Sequence, residues 1–306
     1  MFRRVVLVGL AAMGGAGMAA PVVFTIDSTN SVITESGQIG FLGFTFPFAE
    51  QAPGSLTTHY SGTMLVDLTP PTLQFPGGST IAALTNGNWQ PADGGGAGSA
   101  PADLAGKINI SLGFFGGGTG YSAGRNLKLD LASAPVTLTN SHLENPQFTL
   151  SYITNSPPDP TVDFRLTGSG LVTSTNGSIR LSGMFTNTTA GAYLTNTAGR
   201  LKLVIPVNVT NLASLMSAGD TTMILQGQIV ATAPSGAWPF PLTINTGGGQ
   251  ITLTWPSVAG QNFVVKTSPN LLDWSEVSSP AVVHGNLTSW NASLTNAAQF
   301  YQVQLQ

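Results

Sequence analysis

Short runs of alternating apolar and polar residues recur along most of the chain, separated by clusters of glycine, proline, asparagine and aspartate. A period of two places successive side chains on opposite faces of a strand, whereas a helix requires a period near 3.6. The clearest runs predict strands at residues 22–26, 56–68, 107–115, 127–131, 147–153, 177–185, 199–209 and 221–231. Residues 210–218 are the one stretch that predicts a short helix. The pattern as a whole is that of an all-β protein.

The order of these runs predicts a large antiparallel β-sandwich or barrel followed by a small β-sandwich. Strands of period two occur in both architectures, so the pattern does not choose between a sandwich and a barrel. We predict a large domain at residues 20–232, a proline-rich linker at 233–241 and a small module at 242–306. Two segments rich in glycine or proline, 86–105 and 155–161, are predicted as long surface loops.

The first 19 residues have the features of a secretory signal peptide. Arg3 and Arg4 form its positive start, an apolar run follows, and small residues precede a predicted cleavage site after Ala19. Cleavage after Ala20 and retention of the segment as a short membrane anchor are the alternatives. The segment predicts a protein that is secreted or held at the cell surface, with no membrane span after cleavage.

Charged residues make up 8% of the chain, where about 25% is usual, and threonine, serine, asparagine and glycine replace them. Loss of the leader leaves 8 basic and 13 acidic residues, a net charge of −5. Binding to nucleic acid requires clustered Lys and Arg, so this composition argues against it. The chain has no cysteine, which excludes thiol catalysis, disulfides and cysteine-based metal sites.

The sequence offers weak signals for catalysis. Residues 120–124 match the G-x-S-x-G pattern of serine hydrolases, but a strand-like run follows where a helix is required, so we interpret them as a glycine-rich hairpin loop. His59, His142 and His284 are widely spaced, and no pair of acids stands in a suggestive motif. We therefore predict no catalytic residue, no metal ligand and no cofactor.

Four residues are weak candidates for ligand binding. Asp93 and Asp103 flank a glycine-rich loop, and oxygen-rich loops of this kind can hold Ca²⁺, although a solvated turn is the ordinary interpretation. Trp89 and Trp238 lie in loop-like sequence, where an exposed indole can stack on a sugar ring. Trp255 alternates in phase with apolar neighbours and is predicted to lie in the core of the small module, and Trp274 is assigned to the same core.

The small module resembles a fibronectin-III-like or Ig-like module that ends many exported proteins of environmental Gram-negative bacteria. The resemblance rests on Leu253-x-Trp255-Pro256, Phe263-x-Val265, Trp274-x-x-Val277 and Phe300-Tyr301-x-Val303, with Gln302 where that family usually has arginine. It implies a β-sandwich at the end of a secreted or surface protein and no catalytic residue.

The large domain resembles two kinds of exported protein. Residues 24–31 and 62–67 are similar to the opening of YceI-like lipocalin barrels, which implies an apolar lumen for a lipid. Residues 52–62, 78–81 and 227–231 resemble exported proteins that elsewhere end in a PEP-CTERM sorting tail, which this chain does not carry.

These observations predict a non-catalytic structural or interaction protein, acting in adhesion, in a matrix or in carbohydrate binding. Its partners would be extracellular polysaccharide or other components of the cell surface. A lipocalin-like carrier of a lipid or other apolar ligand is one alternative. A glycoside hydrolase or lyase that uses paired carboxylates is another.

Overall fold

A computed structural model describes residues 21–69, 71–188, 190–197, 200–216, 219–234, 242–257, 262–270, 272–277, 282–284, 287–293 and 300–305. The predicted signal peptide and most of the predicted linker lie outside these residues. Within them, the strands up to residue 234 are β1 (Val22–Ile26), β2 (Val32–Phe41), β3 (Phe44–Pro47), β4 (Ala49–Glu50), β5 (Thr57–Thr69), β6 (Thr72–Gln74), β7 (Thr80–Ala83), β8 (Gly87–Trp89), β9 (Ala100–Ala102), β10 (Leu104–Ser111), β11 (Gly116–Arg125), β12 (Lys128–Ala132), β13 (Val136–Thr139), β14 (His142–Leu143), β15 (Gln147–Tyr152), β16 (Thr161–Gly170), β17 (Thr175–Arg180), β18 (Met184–Thr188), β19 (Tyr193–Thr197), β20 (Arg200–Met216) and β21 (Gly219–Pro234). Two short 3-10 helices, Asp93–Gly95 and Gly113–Phe115, lie between them.

Eight of these strands close into an antiparallel barrel in the order β1–β5–β6–β13–β14–β19–β20–β21 and back to β1. Strand β1 completes the ring, because residues 22–25 pair with β5 while Thr25 and Ile26 pair with β21. Closure leaves no unpaired sheet edge within the ring. The predicted all-β class is thus confirmed, and of the two predicted architectures the large domain contains the barrel.

Side chains fill the interior of this barrel. An eight-stranded barrel is just wide enough for its inward-facing residues to pack against one another. Phe75 and Phe148 meet edge to face, with ring centroids 5.4 Å apart. The same cluster includes completely buried side chains from several strands, namely Phe24, Met64, Leu73, Leu194 and Leu203. The lumen that the lipocalin-like alternative requires is therefore occupied by the protein's own core.

Strands β1 and β2 share one position between β5 and β21, and the turn at residues 27–31 separates them. Ser31 anchors this turn and is completely buried. Its hydroxyl donates to the carbonyl of Val230 at 3.0 Å and accepts from the Val230 amide at 2.9 Å. Strand β2 then follows β21 from Val32 to Ile39, which carries it beyond the barrel.

A second group of strands, β7, β12, β15 and β18, branches from β5 and packs into the same core. Gly62 lies at the branch with a φ of +114°, where a Cβ would collide with the carbonyl of Thr80. The last strand of this group is joined to β20 through Asn187, which is buried. The amide of Asn187 donates to the carbonyl of Pro206 at 2.9 Å, and its oxygen accepts from the Asn208 amide at 3.1 Å.

A separate five-stranded sheet has the order β17–β16–β11–β10–β4. It is linked to the barrel by residues 44–50, because β3 pairs with β2 while β4 pairs with β10. The contact between the two parts is an apolar cluster that joins the β2–β3 hairpin to the sheet, formed by Ile39, Phe41, Phe46, Ile108, Ile110, Leu112, Leu166 and Val172.

The small module contains, among its described residues, β22 (Thr243–Gly247), β23 (Gln250–Pro256), β24 (Phe263–Ser268), β25 (Ser275–Glu276), β26 (Val282–His284), β27 (Leu287–Ser293) and β28 (Phe300–Leu305). They form a sheet of order β22–β23–β27–β26 and a sheet of order β25–β24–β28. The first order is that of the A-B-E-D sheet of immunoglobulin constant domains. Both sheets contribute to one core around Trp255 and Trp290, so the predicted core position of Trp255 is confirmed. Trp274 is half-buried and lies outside that core cluster.

The local predictions for two segments, a short helix near the end of β20 and a long loop at residues 86–105, were wrong. Of the predicted helix at 210–218, the described residues 210–216 form strand instead, because β20 continues to Met216 and pairs with β21 as far as Gly219. Residues 86–105 are not a long irregular loop, since β8 pairs with β9 across them. In both places pairing with the next strand along the chain decides the structure, and the pattern of one strand carries no information about its partner.

Candidate functional site

The segment at residues 86–105, which contains three of the four candidate residues, folds back onto the five-stranded sheet. The 3-10 helix Asp93–Gly95 contacts β16 and β17, and the side-chain amide of Asn176 donates to the carbonyl of Gly95 at 3.3 Å. No side chain fits at Gly95, because a Cβ there would lie 2.6 Å from the carbonyl oxygen of Phe164. The segment is therefore a fixed cover over one face of the sheet.

Arg125 holds this cover in place. Its guanidinium Nε donates to Asp163 at 2.7 Å and lies 2.9 Å from Asp93. The two terminal nitrogens donate to the carbonyls of Pro101, at 2.8 Å, and of Pro91. Arg125 and Asp163 are both buried, whereas the Asp93 carboxylate is 83% exposed. The Arg125 guanidinium, a cation of the protein itself, therefore lies directly beside the Asp93 carboxylate.

Asp103 is buried rather than solvated. It precedes β10, and its side chain binds the backbone that follows β11. Its carboxylate accepts the Leu127 amide at 2.8 Å, and burial raises its pKa above the ordinary value of 3.8. The structure thus gives Asp93 and Asp103 different surroundings, one exposed beside a cation and one enclosed. Their part in binding a ligand stays a prediction.

Trp89 is half-buried, and part of its ring packs against its own chain. Its ring lies over Gly87 and packs against the small cluster of Ala102, Ala105 and Ala123. The indole nitrogen is buried and has no hydrogen-bond partner within the described part of the chain. Trp238 lies outside the described residues, so its assignment to sugar stacking stays a prediction.

Residues 120–124 form neither a nucleophile elbow nor the predicted hairpin loop. They lie within β11, which pairs along its length with β10 on one side and β16 on the other. Ser122 stands opposite Gly106 and Phe164 in that ladder. The glycines are required here because neighbouring strands approach closely: a Cβ on Gly118 would lie 2.6 Å from the Thr167 carbonyl oxygen.

The histidines are distributed over the molecule. His59 is exposed and its Nδ1 lies 2.8 Å from the Ser28 carbonyl oxygen, while His142 packs beside Tyr193. His284 belongs to β26 in the small module. Among the described residues, no three His, Asp or Glu side chains gather as a metal site would require.

Three segments of the large domain that contain no Asp, Glu, Lys or Arg converge at one end of the five-stranded sheet. They are residues 36–48, 108–124 and 166–179, which meet in the apolar cluster that joins the β2–β3 hairpin to the sheet. The ion pairs of the five-stranded sheet lie towards the opposite end, where Arg125 pairs with Asp163 and Arg180 pairs with Asp159, while Lys107 and Arg165 stand at mid-strand. The sheet is therefore polarised along its strands.

Large apolar side chains are exposed at this uncharged end. Phe114 is fully exposed and its ring lies 6.1 Å from that of Phe115. Leu171 is adjacent, because its amide donates to the carbonyl of Phe115 at 2.9 Å. Leu42 and Phe44 are exposed at the tip of the β2–β3 hairpin, whose base packs in the same apolar cluster as Ile110 and Leu112. We call these five residues, Leu42, Phe44, Phe114, Phe115 and Leu171, the apolar tip.

A cleft with an internal volume of about 90 Å³ lies between the five-stranded sheet and the β2–β21 pair. Its walls are almost entirely apolar, and they include Ile39, Phe41, Ile108 and Phe164. Glu35 of β2 also lines it, although the side chain is only 8% exposed. Burial raises the pKa of Glu35 from its ordinary value of 4.5 to about 7, because no cation nearby offsets the loss of solvation.

Sequence reasoning missed both the apolar tip and Glu35, yet each has a signal in the sequence. The charge-free segments are visible once the positions of the few charged residues are compared. Glu35 lies in phase with Ile33 and Ile39 in an alternating run, which indicates an acid on an inward face. Neither signal identifies a partner, since the cleft wall and the tip come from distant segments.

Comparison with protein-family models, with curated proteins and with solved structures finds no match to this chain. Within the described part of the chain, no helix has the length and apolar character needed to cross a lipid bilayer.

Proposed function

We propose that this chain is an exported, non-catalytic interaction protein that attaches to the lipid surface of a cell through the apolar tip. The observation that carries the proposal is that the exposed Phe114 and Phe115 lie where three segments without a charged residue converge. Contiguous exposed apolar surface on a soluble domain marks an interaction site. A charge-free end can enter the boundary between lipid headgroups and acyl chains without desolvating an ion.

The chemistry of the tip favours lipid over sugar or protein. Flat sugar faces are usually bound by Trp or Tyr together with polar groups, and the apolar tip offers Phe and Leu alone. Trp89, the described loop Trp that could stack on a sugar, is packed over Gly87. Protein interfaces carry a polar rim and about one hydrogen bond per 100–200 Å². A tip without charges lacks part of such a rim.

The small module fits the same proposal as a spacer or second attachment point. Its A-B-E-D strand order supports the resemblance to fibronectin-III-like and Ig-like modules of exported proteins. The proposal that the protein is exported rests on the leader-like residues 1–19 and on the low charge of the chain.

The test is co-sedimentation of the form lacking residues 1–19 with phosphatidylcholine vesicles. We expect the wild type to partition onto vesicles, and Phe114→Ser combined with Phe115→Ser to weaken partitioning by about tenfold or more, because two exposed rings no longer enter the lipid. Met184→Ser is the matched control, since Met184 is equally exposed in the large domain but lies on β18, outside the tip.

Two outcomes would contradict the proposal. Equal partitioning of the double variant and the wild type would show that the tip does not contact lipid. Self-association in the absence of vesicles, abolished by the double variant, would show that the tip binds a second copy of the chain.

A further inference from the structure

The cleft beside the barrel is a trough that the glycines of β11 make possible. In the register of the sheet, Gly120 stands between Ile108 and Leu166, and Gly124 stands between Leu104 and Val162. The central strand therefore adds almost no side-chain volume, while the two outer strands form apolar walls. A Cβ on Gly120 would lie 2.8 Å from Cγ2 of Ile108, so even alanine would disturb the wall.

Glu35 is the acid that lines this trough. Its backbone amide donates to the Leu56 carbonyl at 2.8 Å, but its carboxyl group makes no hydrogen bond or ion pair with a described residue. Buried polar groups nearly always have a partner, and an unsatisfied one requires an explanation. The carboxyl group lines a cavity, which supplies the room for a partner from outside the chain.

The charged groups around Glu35 indicate whether that partner carries a positive or a negative charge. Lys107 and Arg165 are also lining residues, but they alternate with Ile108 and Leu166 and so direct their side chains to the opposite face of the sheet. Burial is the sole cause of the raised Glu35 pKa, which means that neither cation is close enough to compensate the carboxylate. The ionisable groups that sense Glu35 are the phenols of Tyr60 and Tyr152, both neutral at physiological pH.

We propose that the cleft binds a small amine, with its apolar body in the trough floored by Gly120 and Gly124 and its ammonium group on the Glu35 carboxylate. An ammonium group donates hydrogen bonds and supplies the missing positive charge, and such charge-assisted bonds are the strong ones. The 90 Å³ of the trough hold part of a short alkyl chain, and the rest of such a chain extends through the open side of the cleft. This site is separate from the apolar tip and does not depend on the attachment to lipid.

Calorimetric titration with three probes of equal length, hexylamine, hexanol and hexanoate, tests the site on the form lacking residues 1–19. We expect hexylamine to bind roughly tenfold or more tightly than hexanol, and hexanoate to bind least, because its charge repels the carboxylate. Glu35→Gln keeps the shape of the side chain and is expected to remove the preference for the amine while hexanol still binds. Glu144→Gln, at an exposed position outside the cleft, is the control and retains the preference.

Equal binding of hexylamine and hexanol by the wild type would overturn the proposal, as would an unchanged amine preference in Glu35→Gln. Strongest binding of hexanoate would overturn it in favour of Lys107 or Arg165 as the partner. Absence of binding by all three probes would also overturn it, provided that the wild type is shown to be folded by circular dichroism.

Discussion

Replacing Arg125 by methionine is expected to lower the free energy of unfolding of the large domain by about 3–5 kcal/mol. Methionine keeps much of the apolar stem but leaves the Asp163 carboxylate, 3% exposed, as an uncompensated buried charge. The carbonyls of Pro91 and Pro101 lose their donor in the same variant, so the cover formed by residues 86–105 loses its anchor. Urea denaturation of wild type and variant side by side measures the loss.

The chain supplies a matched control in Arg180, which pairs with Asp159 at 3.0 Å on the surface. Arg180→Met is expected to change the free energy of unfolding by less than about 1 kcal/mol, because solvent screens an exposed ion pair. A double variant, Arg125→Met with Asp163→Leu, is expected to recover part of the loss, since no unpaired charge remains. Equal losses for Arg125→Met and Arg180→Met would show that Arg125 does not hold the cover.

Raising the pH from about 4.5 to about 8 is expected to lower the free energy of unfolding of the wild type by about 3 kcal/mol more than that of Glu35→Gln. The pKa of Glu35 is 4.5 in an ordinary environment and about 7 in the folded protein. Below pH 4.5 the carboxyl group is protonated in both states and contributes no difference. Between pH 4.5 and 7 the unfolded state releases its proton first, so folding is progressively penalised, and above pH 7 the penalty is complete.

The comparison is made by urea denaturation at both pH values for wild type, Glu35→Gln and the exposed control Glu144→Gln. The remaining acids are common to wild type and Glu35→Gln, so their titration cancels in the difference. We expect Glu144→Gln to follow the wild type. A parallel pH dependence for wild type and Glu35→Gln would mean that Glu35 is solvated or paired, which would also weaken the amine site.

The strands were predictable from the sequence because alternation is a local property. Residues 22–26 were predicted as a strand and form β1. Trp255 was correctly placed in the core of the small module, because it alternates in phase with Ile251 and Leu253. The barrel could not be distinguished from a sandwich, because closure depends on β1 pairing with both β5 and β21, which are distant in the chain. A period-two pattern specifies which side chains share a face of a strand, but it does not specify which strands pair with one another.

Glycine was the main source of error in the five-stranded sheet. Residues 120–124 begin and end with glycine and follow three more glycines at 116–118, which are typical of turns, and they were assigned to a hairpin loop. They are strand instead, because β10 and β16 pair with β11 from both sides and exclude side chains such as one at Gly117. The same absence of side chains creates the trough below Glu35, so the misassigned residues are the ones that shape the cleft.

The candidate site was only partly predictable. Asp93, Asp103 and Trp89 were chosen as surface residues of a loop, but the structure buries Asp103, packs the half-buried Trp89 against Ala102, Ala105 and Ala123, and places Asp93 beside Arg125. Their burial depends on the fold of residues 86–105 over β16 and β17, which local sequence does not reveal. The apolar tip is likewise assembled from three separate turns.

The attachment to lipid is tested most directly by hydrogen–deuterium exchange of the form lacking residues 1–19, measured with and without phosphatidylcholine vesicles. We expect vesicles to slow exchange in the turns around residues 41–45, 112–116 and 170–172, and to leave residues 86–105 unchanged. Protection centred on residues 86–105, or no protection at the three turns while the protein is bound to vesicles, would contradict the attachment of this protein to lipid through its apolar tip.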